Sequence, residues 1–260
     1  MNGFELHSKA FSNWRSPDVH LSASALTQWI NTPDIFVAQR LLGYPSKFGH
    51  PAERGKAIEE GVVDVVYRGK TLDAAIADAE KTFDKTVALG TPASSKERAM
   101  IAPCITLATR ELAQFGKPEF PSGGGQIPIS LDCHCADFTI KFVGFLDFVY
   151  PQHGLIVDLK TSSKIMSVQS LDHQIQRCLY ARANGNQRVR FLYVTPKKCE
   201  WREDGDVDEV LAFIKLATER LERFLRTSDD PNELAAIVPH NPSHYFWRGA
   251  EDTRRAVFGN

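Results

Sequence analysis

Three charged side chains stand inside otherwise apolar runs. Asp147 lies between Gly144-Phe145-Leu146 and Phe148-Val149, while Asp158 and Lys160 interrupt Leu155-Ile156-Val157 and Leu159. A four-residue connection, Pro151-Gln152-His153-Gly154, separates the two runs. If it closes a simple hairpin in which Tyr150 faces Leu155, Asp147 comes directly opposite Asp158, with Cβ atoms ~5 Å apart. Lys160, two residues further, points to the same face. Opposed like charges destabilise a sheet, and a buried charge without a partner is costlier still, so the pair calls for a cation. An arbitrary D-x-K is most often a solvent-facing ion pair. The apolar flanks put a second reading on an equal footing, a divalent-metal site with a cationic group beside it, for which hard oxygen ligands of this kind suit Mg²⁺ or Mn²⁺. A metal held there lowers the pKa of its bound water.

Such a site needs strands beneath it and helices around it. Ile127, Ile129, Leu131, Cys133 and Cys135 alternate with polar or small residues, the period of a half-buried strand. Phe138 to Tyr150 predicts a second strand, apolar on both faces at its far end and therefore central, and Leu155 to Thr161 a third. A helix over 171–183, closed by Asn184-Gly185, precedes a fourth strand over 189–195. Asp206 to Arg226 reads as a last long amphipathic helix. Upstream the period is helical. Ser22 or Ser24 caps a helix that ends near Thr32-Pro33, and a second runs from Asp34 to Leu42 and stops at Gly43. Another carries Ile58, Val62, Val65 and Val66, and two more cover 72–89 and 95–115, the latter with an expected kink at Pro103. Pro121-Ser122-Gly123-Gly124-Gly125 is the clearest break. The expectation is an α/β (α+β) fold: a central mixed β-sheet over 121–260 flanked by helices, with a mainly helical portion over 1–120, together one compact unit.

Composition narrows the function classes. Of 260 residues 43% are hydrophobic and 24% charged, which excludes a wholly disordered chain. Lys and Arg number 31 against 32 Asp and Glu, a net charge of −1, so indiscriminate polyanion binding is excluded while local basic patches are not. The five cysteines form no C-x-x-C pair, and no apolar run approaches a membrane span, so a cytoplasmic protein is expected. Cys133-His134-Cys135 tempts a zinc reading, but strand alternation puts His134 opposite both thiols. His173, His240 and His244 have no ligand spacing and read as surface residues.

The pair G-F-L-D (Gly144 to Asp147) and V-D-L-K-T-S (Val157 to Ser162) resembles the signature of the PD-(D/E)XK nuclease superfamily, in its RecB-like and lambda-exonuclease-like branch. Arg54-Gly55-Lys56-Ala57-Ile58-Glu59 is similar to that family's R-G-x-x-x-(H/E). Gln176 and Tyr180 match its Q-x-x-x-Y, and Leu21-Ser22-Ala23-Ser24-Ala25-Leu26 its S-x-S-x-(L/I) opening. The resemblance implies that Glu59, Asp147 and Asp158, with the Leu159 carbonyl, bind Mg²⁺ or Mn²⁺, and that Lys160 orients or deprotonates the attacking water. Gln176, Tyr180, Arg177 and Lys164 would bind phosphates, with Arg182, Arg188 and Arg190 as further contacts. Glu60 remains a rival to Glu59, and Gln174 to Gln176. Some RecB-like members hold an iron–sulfur cluster, one cysteine early and three late. Here no cysteine precedes Cys104 or follows Cys199, so no cluster is expected, although Pro239 to Trp247 keeps the look of that tail. The function implied is a Mg²⁺-dependent DNA nuclease, an exonuclease of phage or bacterial recombination type, with oligomerisation or a recombination partner open. The alternatives are a structure-specific endonuclease on the same core and a catalytically silent nucleic-acid-binding or assembly module.

Overall fold

Ser22 stands in extended backbone, and its hydroxyl accepts from the Ala25 N–H at 3.2 Å, which opens the first helix. In this computed structural model, which describes residues 20–45, 49–87, 92–119, 126–135, 138–185 and 187–259, that helix is α1 (Ala23–Asn31), preceded by the short strand β1 (His20–Leu21). Next come α2 (Pro33–Phe36), which loosens into a π-helical turn over Val37–Leu41, and α3 (His50–Val66). Three more helices complete the N-terminal half: α4 (Leu72–Thr86), α5 (Pro92–Arg98) and α6 (Ile101–Ala113). Two expectations need correction. The helix predicted over 72–89 stops at Thr86, residues 88 and 89 lying outside the described set. Pro103 does not kink a long helix; the chain breaks at Ala99–Met100, and Pro103 falls in the first turn of α6, where its missing N–H forfeits no helical bond. The break at 121–125 also lies outside the described residues.

Among the described residues seven strands make two mixed sheets. β2 (Ile127–Cys135) pairs antiparallel with β3 (Phe138–Leu146), and β1 adds to the other edge of β3 in parallel. The second sheet has the order β4-β5-β6-β7, formed by β4 (Phe148–Tyr150), β5 (Leu155–Thr161), β6 (Arg188–Val194) and β7 (Cys199–Arg202). Its pairings run antiparallel, parallel, antiparallel. The run read as one strand over 138–150 is therefore two, bent at Asp147, and this bend joins the sheets. α7 (Leu171–Ala183) crosses over between β5 and β6, and α8 (Val207–Leu225) follows β7, capped by Asp206. α9 (Pro231–Ile237), a 3₁₀ turn at Tyr245–Trp247 and α10 (Glu251–Phe258) complete the chain beyond the last expected helix.

Alternation along the second sheet divides its side chains between two cores. Val149, Ile156, Val189, Phe191 and Tyr193 pack with α1, α7 and α8. Phe148, Tyr150, Leu155, Val157, Leu159, Leu192 and Val194 pack with α3, α4 and α6. The expected mixed sheet flanked by helices is thus present, in two parts. Among the described residues no helix is long and apolar enough to cross a membrane.

Candidate active site

The hairpin register holds: Tyr150 faces Leu155, and Phe148 faces Val157. One step further the ladder would place Asp147 opposite Asp158, but there the chain turns out of β4. The odd-numbered N–H groups of β5 face β4, so that of Leu159 meets no strand. The Asp147 carboxylate takes it instead, Oδ2 accepting at 2.9 Å. Tyr67, stacked on Phe148, donates its hydroxyl to the Asp147 carbonyl at 2.9 Å and fixes the bend from α3. Asp147 is 6% exposed and Asp158 1%.

Helix α3 supplies the third carboxylate. Arg54, buried, pairs with Glu97 and donates to the Thr161 carbonyl at 3.2 Å, which ties the helix to the end of β5. Just over one turn later Glu59 turns to the strands. Gln126 Nε2 donates to both Glu59 Oε1, at 2.8 Å, and Asp147 Oδ1, at 2.6 Å. Glu60 points outward and ion-pairs with Arg68 at 2.5 Å. On the other side, Lys160 Nζ lies 2.6 Å from Asp158 Oδ1, and Gln176 Nε2 donates to Asp158 Oδ2 at 2.7 Å and to Tyr180 Oη at 2.8 Å. Gln174 instead bonds the Gln169 carbonyl.

Electrostatics follow from this crowding. Burial, then the charge of Asp158, then that of Glu59 raises the Asp147 carboxyl well above its ordinary range. Burial and then Asp158 raise Glu59. For Lys160 burial alone acts downward, but Asp158 and then Asp147 outweigh it and hold the ammonium protonated. Burial, followed by Asp158, pushes the Tyr180 phenol up to about 12. Among the described residues no three His, Cys, Asp or Glu side chains have metal-holding geometry as they stand, the Gln126 amide bridging two of the carboxylates. The donor set nevertheless fits a hard divalent ion. Three carboxylates from three elements repel one another in a buried place, and a dication relieves that repulsion.

The sequence-predicted cations other than Lys160 take varied places. Arg177 turns from the cluster and donates to the Gly205 carbonyl, and with Arg182, Gln187, Arg188 and Asp208 it lines a cavity of about 420 Å³. Lys164 lies on the exposed stretch between β5 and α7. Arg182 pairs with Asp208, Arg188 with Glu203, and Arg190 covers the Trp201 ring. The Leu159 side chain is buried in the core beneath α3, so only its backbone adjoins the carboxylates. The side chains of Cys133, His134 and Cys135 lie outside the described set.

Two histidines read as surface residues are not. His173 stacks on Phe191, and its Nδ1 lies 2.5 Å from Tyr193 Oη, beside Lys160; burial and then Lys160 lower its pKa. Its spacing of three before Gln176 and seven before Tyr180 is the signal that places it on the same helical face. His240 is half-buried against Asp34. Gln126 gave no signal, being one polar residue beside a glycine run.

A model of the PD-(D/E)XK nuclease superfamily matches residues 20–247. The chain belongs to that superfamily. Its members are nucleases, and the match spans every element that carries the carboxylate cluster. A solved structure, "Crystal structure of SSO0001", is similar over 75% of this chain and 84% of its own, at 11% identity and a TM-score of 0.35. No curated protein matches the chain.

Proposed function

We propose that this nuclease acts on DNA, hydrolysing phosphodiester bonds with Mg²⁺, or Mn²⁺ in its place, and that it works from strand ends as exonucleases of phage and bacterial recombination do. The observation that carries the reading is the convergence of Glu59, Asp147 and Asp158 with Lys160 in one buried cluster. Glu59, Asp147 and Asp158, with the Leu159 carbonyl, would hold the cation. When bound, it supplies Lewis acidity toward a phosphoryl oxygen and acidifies its water.

The remaining work falls to the chain's own groups. Lys160, kept protonated and tethered to Asp158, places positive charge beside the scissile phosphate and orients the attacking water. Gln176 fixes Asp158 by spending one donor on it and the other on Tyr180. That leaves the Tyr180 hydroxyl proton free to donate to a phosphate oxygen. Helices α3, α4 and α6 cover one face of the second sheet, which favours a threaded end over a bent duplex, since sharp bending costs on the order of 1–6 kcal/mol. Incubation of end-labelled linear DNA and covalently closed circles, each with Mg²⁺ and with EDTA, tests the proposal. Degradation of linear DNA alone, abolished by EDTA, supports it. Linearisation of circles at a similar rate refutes end-dependence, and cleavage in EDTA refutes the metal.

A further inference from the structure

The tail after α9 carries chemistry that the carboxylate cluster does not use. Asp34 Oδ2 gathers three donors from it: His240 Nδ1 at 2.8 Å, the Asn241 N–H at 3.1 Å and Trp247 Nε1 at 3.1 Å. Asp34 Oδ1 accepts from the Ile35 N–H at 2.9 Å, so the carboxylate is saturated and the tail is clasped to α2. Trp247 is buried as the anchor, and the two residues ahead of it are left outside, Tyr245 at 59% and Phe246 at 52% exposed. Their rings lie 4.2 Å apart at 31°, and His244 stacks on Phe246 at 5.2 Å and 18°. Isolated exposed apolar residues need no explanation, but adjoining aromatic rings held open on a rigid support do.

The turn is anchored beside the helix that carries Gln176 and Tyr180: Trp247 packs on Ile35 and Ala38, and the intervening Phe36 and Val37 share a core with Ile175 and Tyr180 of α7. Partial burial and then the charge of Asp172, in the first turn of α7, raise the Tyr245 phenol. Asp172 adjoins His173, which reaches Tyr193 beside Lys160. The stretch leaving β5 just after Lys160 exposes Met166 and Val168, and Lys164 and Arg248 are exposed cations on that stretch and at the end of the turn.

We propose that the His244–Tyr245–Phe246 turn is a stacking platform for the unpaired bases of a single-stranded nucleic-acid end as it approaches the carboxylate cluster. The proposal rests on the nuclease reading of that cluster. Flat rings accept the face of any base, so recognition is independent of sequence, and a closed duplex hides those faces inside its own stack. Lys164 and Arg248 supply charge for the accompanying phosphates. Because Asp34 holds the turn in place beforehand, little ordering entropy opposes binding.

Fluorescence anisotropy in EDTA, where cleavage is silent, measures binding of a labelled oligothymidylate and of a blunt duplex. Tyr245→Leu/Phe246→Leu keeps apolar bulk while removing the rings, and these exposed sites leave the melt unchanged. The variant should bind the oligothymidylate roughly ten- to a hundredfold more weakly and the blunt duplex about as well as wild type. Unchanged oligothymidylate binding, or an equal loss for both probes, overturns the proposal. So does unchanged binding accompanied by dissociation of a dimer, which would make the turn a subunit contact. Wild-type protein that binds neither probe overturns the nuclease reading as well, whereas a cleaving wild type with a normally binding variant removes the platform alone.

Discussion

Gly144 sits in β3 where the ring of Tyr180 passes over the backbone. A Cβ built there would lie 2.7 Å from Tyr180 Cε1, and 3.4 Å from both Tyr180 Cζ and Ile129 Cγ1. The ring is buried and held at its hydroxyl by Gln176, so it has to shift as a body rather than give at a flexible tip. Overpacking of this kind costs about 1–3 kcal/mol. At about 2–4 °C per kcal/mol for a chain of this size, Gly144→Ala should melt about 2–12 °C lower. The shift also disturbs the Gln176 bond to Asp158. A hydrogen bond to a charged group contributes about 1.5–3 kcal/mol, and loss of half the upper figure slows cleavage about tenfold. Circular dichroism melts and DNA cleavage in Mg²⁺ measure both effects. In a Tyr180→Ala background the obstruction is gone, so Gly144→Ala should then cost about 0.5–3 kcal/mol less than it does alone. Wild-type melting and cleavage in Gly144→Ala, or full additivity with Tyr180→Ala, would refute this coupling of β3 to the cluster.

Glu59→Gln should slow Mg²⁺-dependent cleavage at least about a hundredfold, the scale of a lost metal or electrostatic contact, while Glu60→Gln, which loses only a surface pair with Arg68, stays near wild type. Parallel cleavage assays decide it, and equal losses would contradict the orientation of α3. Lys160→Met should abolish cleavage yet retain Mn²⁺ binding by calorimetry; loss of binding would make Lys160 a structural prop of the site. His173 titrates below its ordinary value near 6.5, so its folded form resists protonation. The stability it contributes is present above about pH 6.5 and is lost as pH falls through its depressed pKa. Melts of wild type and His173→Gln from neutral to acid pH should therefore converge, and a constant difference would refute the assignment.

Much of the cluster was legible because the two strands that carry it are strongly apolar and joined by four residues, leaving one sensible register for Asp147 and Asp158. The bend at Asp147 was not legible. Leu146-Asp147-Phe148 reads as continuous strand, and what breaks it lies far away in sequence: the Tyr67 hydroxyl and the Leu159 N–H. The spacing from Arg54-Gly55 favours Glu59 over Glu60, but the helical phase itself is set by Arg54, whose bond to the Thr161 carbonyl ties α3 to the end of β5. Gln126 and Asp34 escaped for a related reason. Each is a single polar residue whose partners lie on elements remote in sequence, and no local period marks such a contact. Strand β7 is only four residues long: Cys199 and Trp201 alternate with Glu200 and Arg202 and pack on the second core, but two periods are too short a run to mark a strand in the sequence.

The central claim is that the buried carboxylates are the seat of metal-dependent phosphodiester hydrolysis. Single-turnover cleavage of labelled linear DNA by wild type and Asp158→Asn, in Mg²⁺ and in EDTA, tests it most directly. The substitution keeps an acceptor oxygen for Gln176 while removing the charge that binds a cation and pairs with Lys160. The account predicts cleavage by wild type in Mg²⁺ alone and none by Asp158→Asn, with the variant still folded by circular dichroism. Wild-type rates from Asp158→Asn in Mg²⁺ would contradict it.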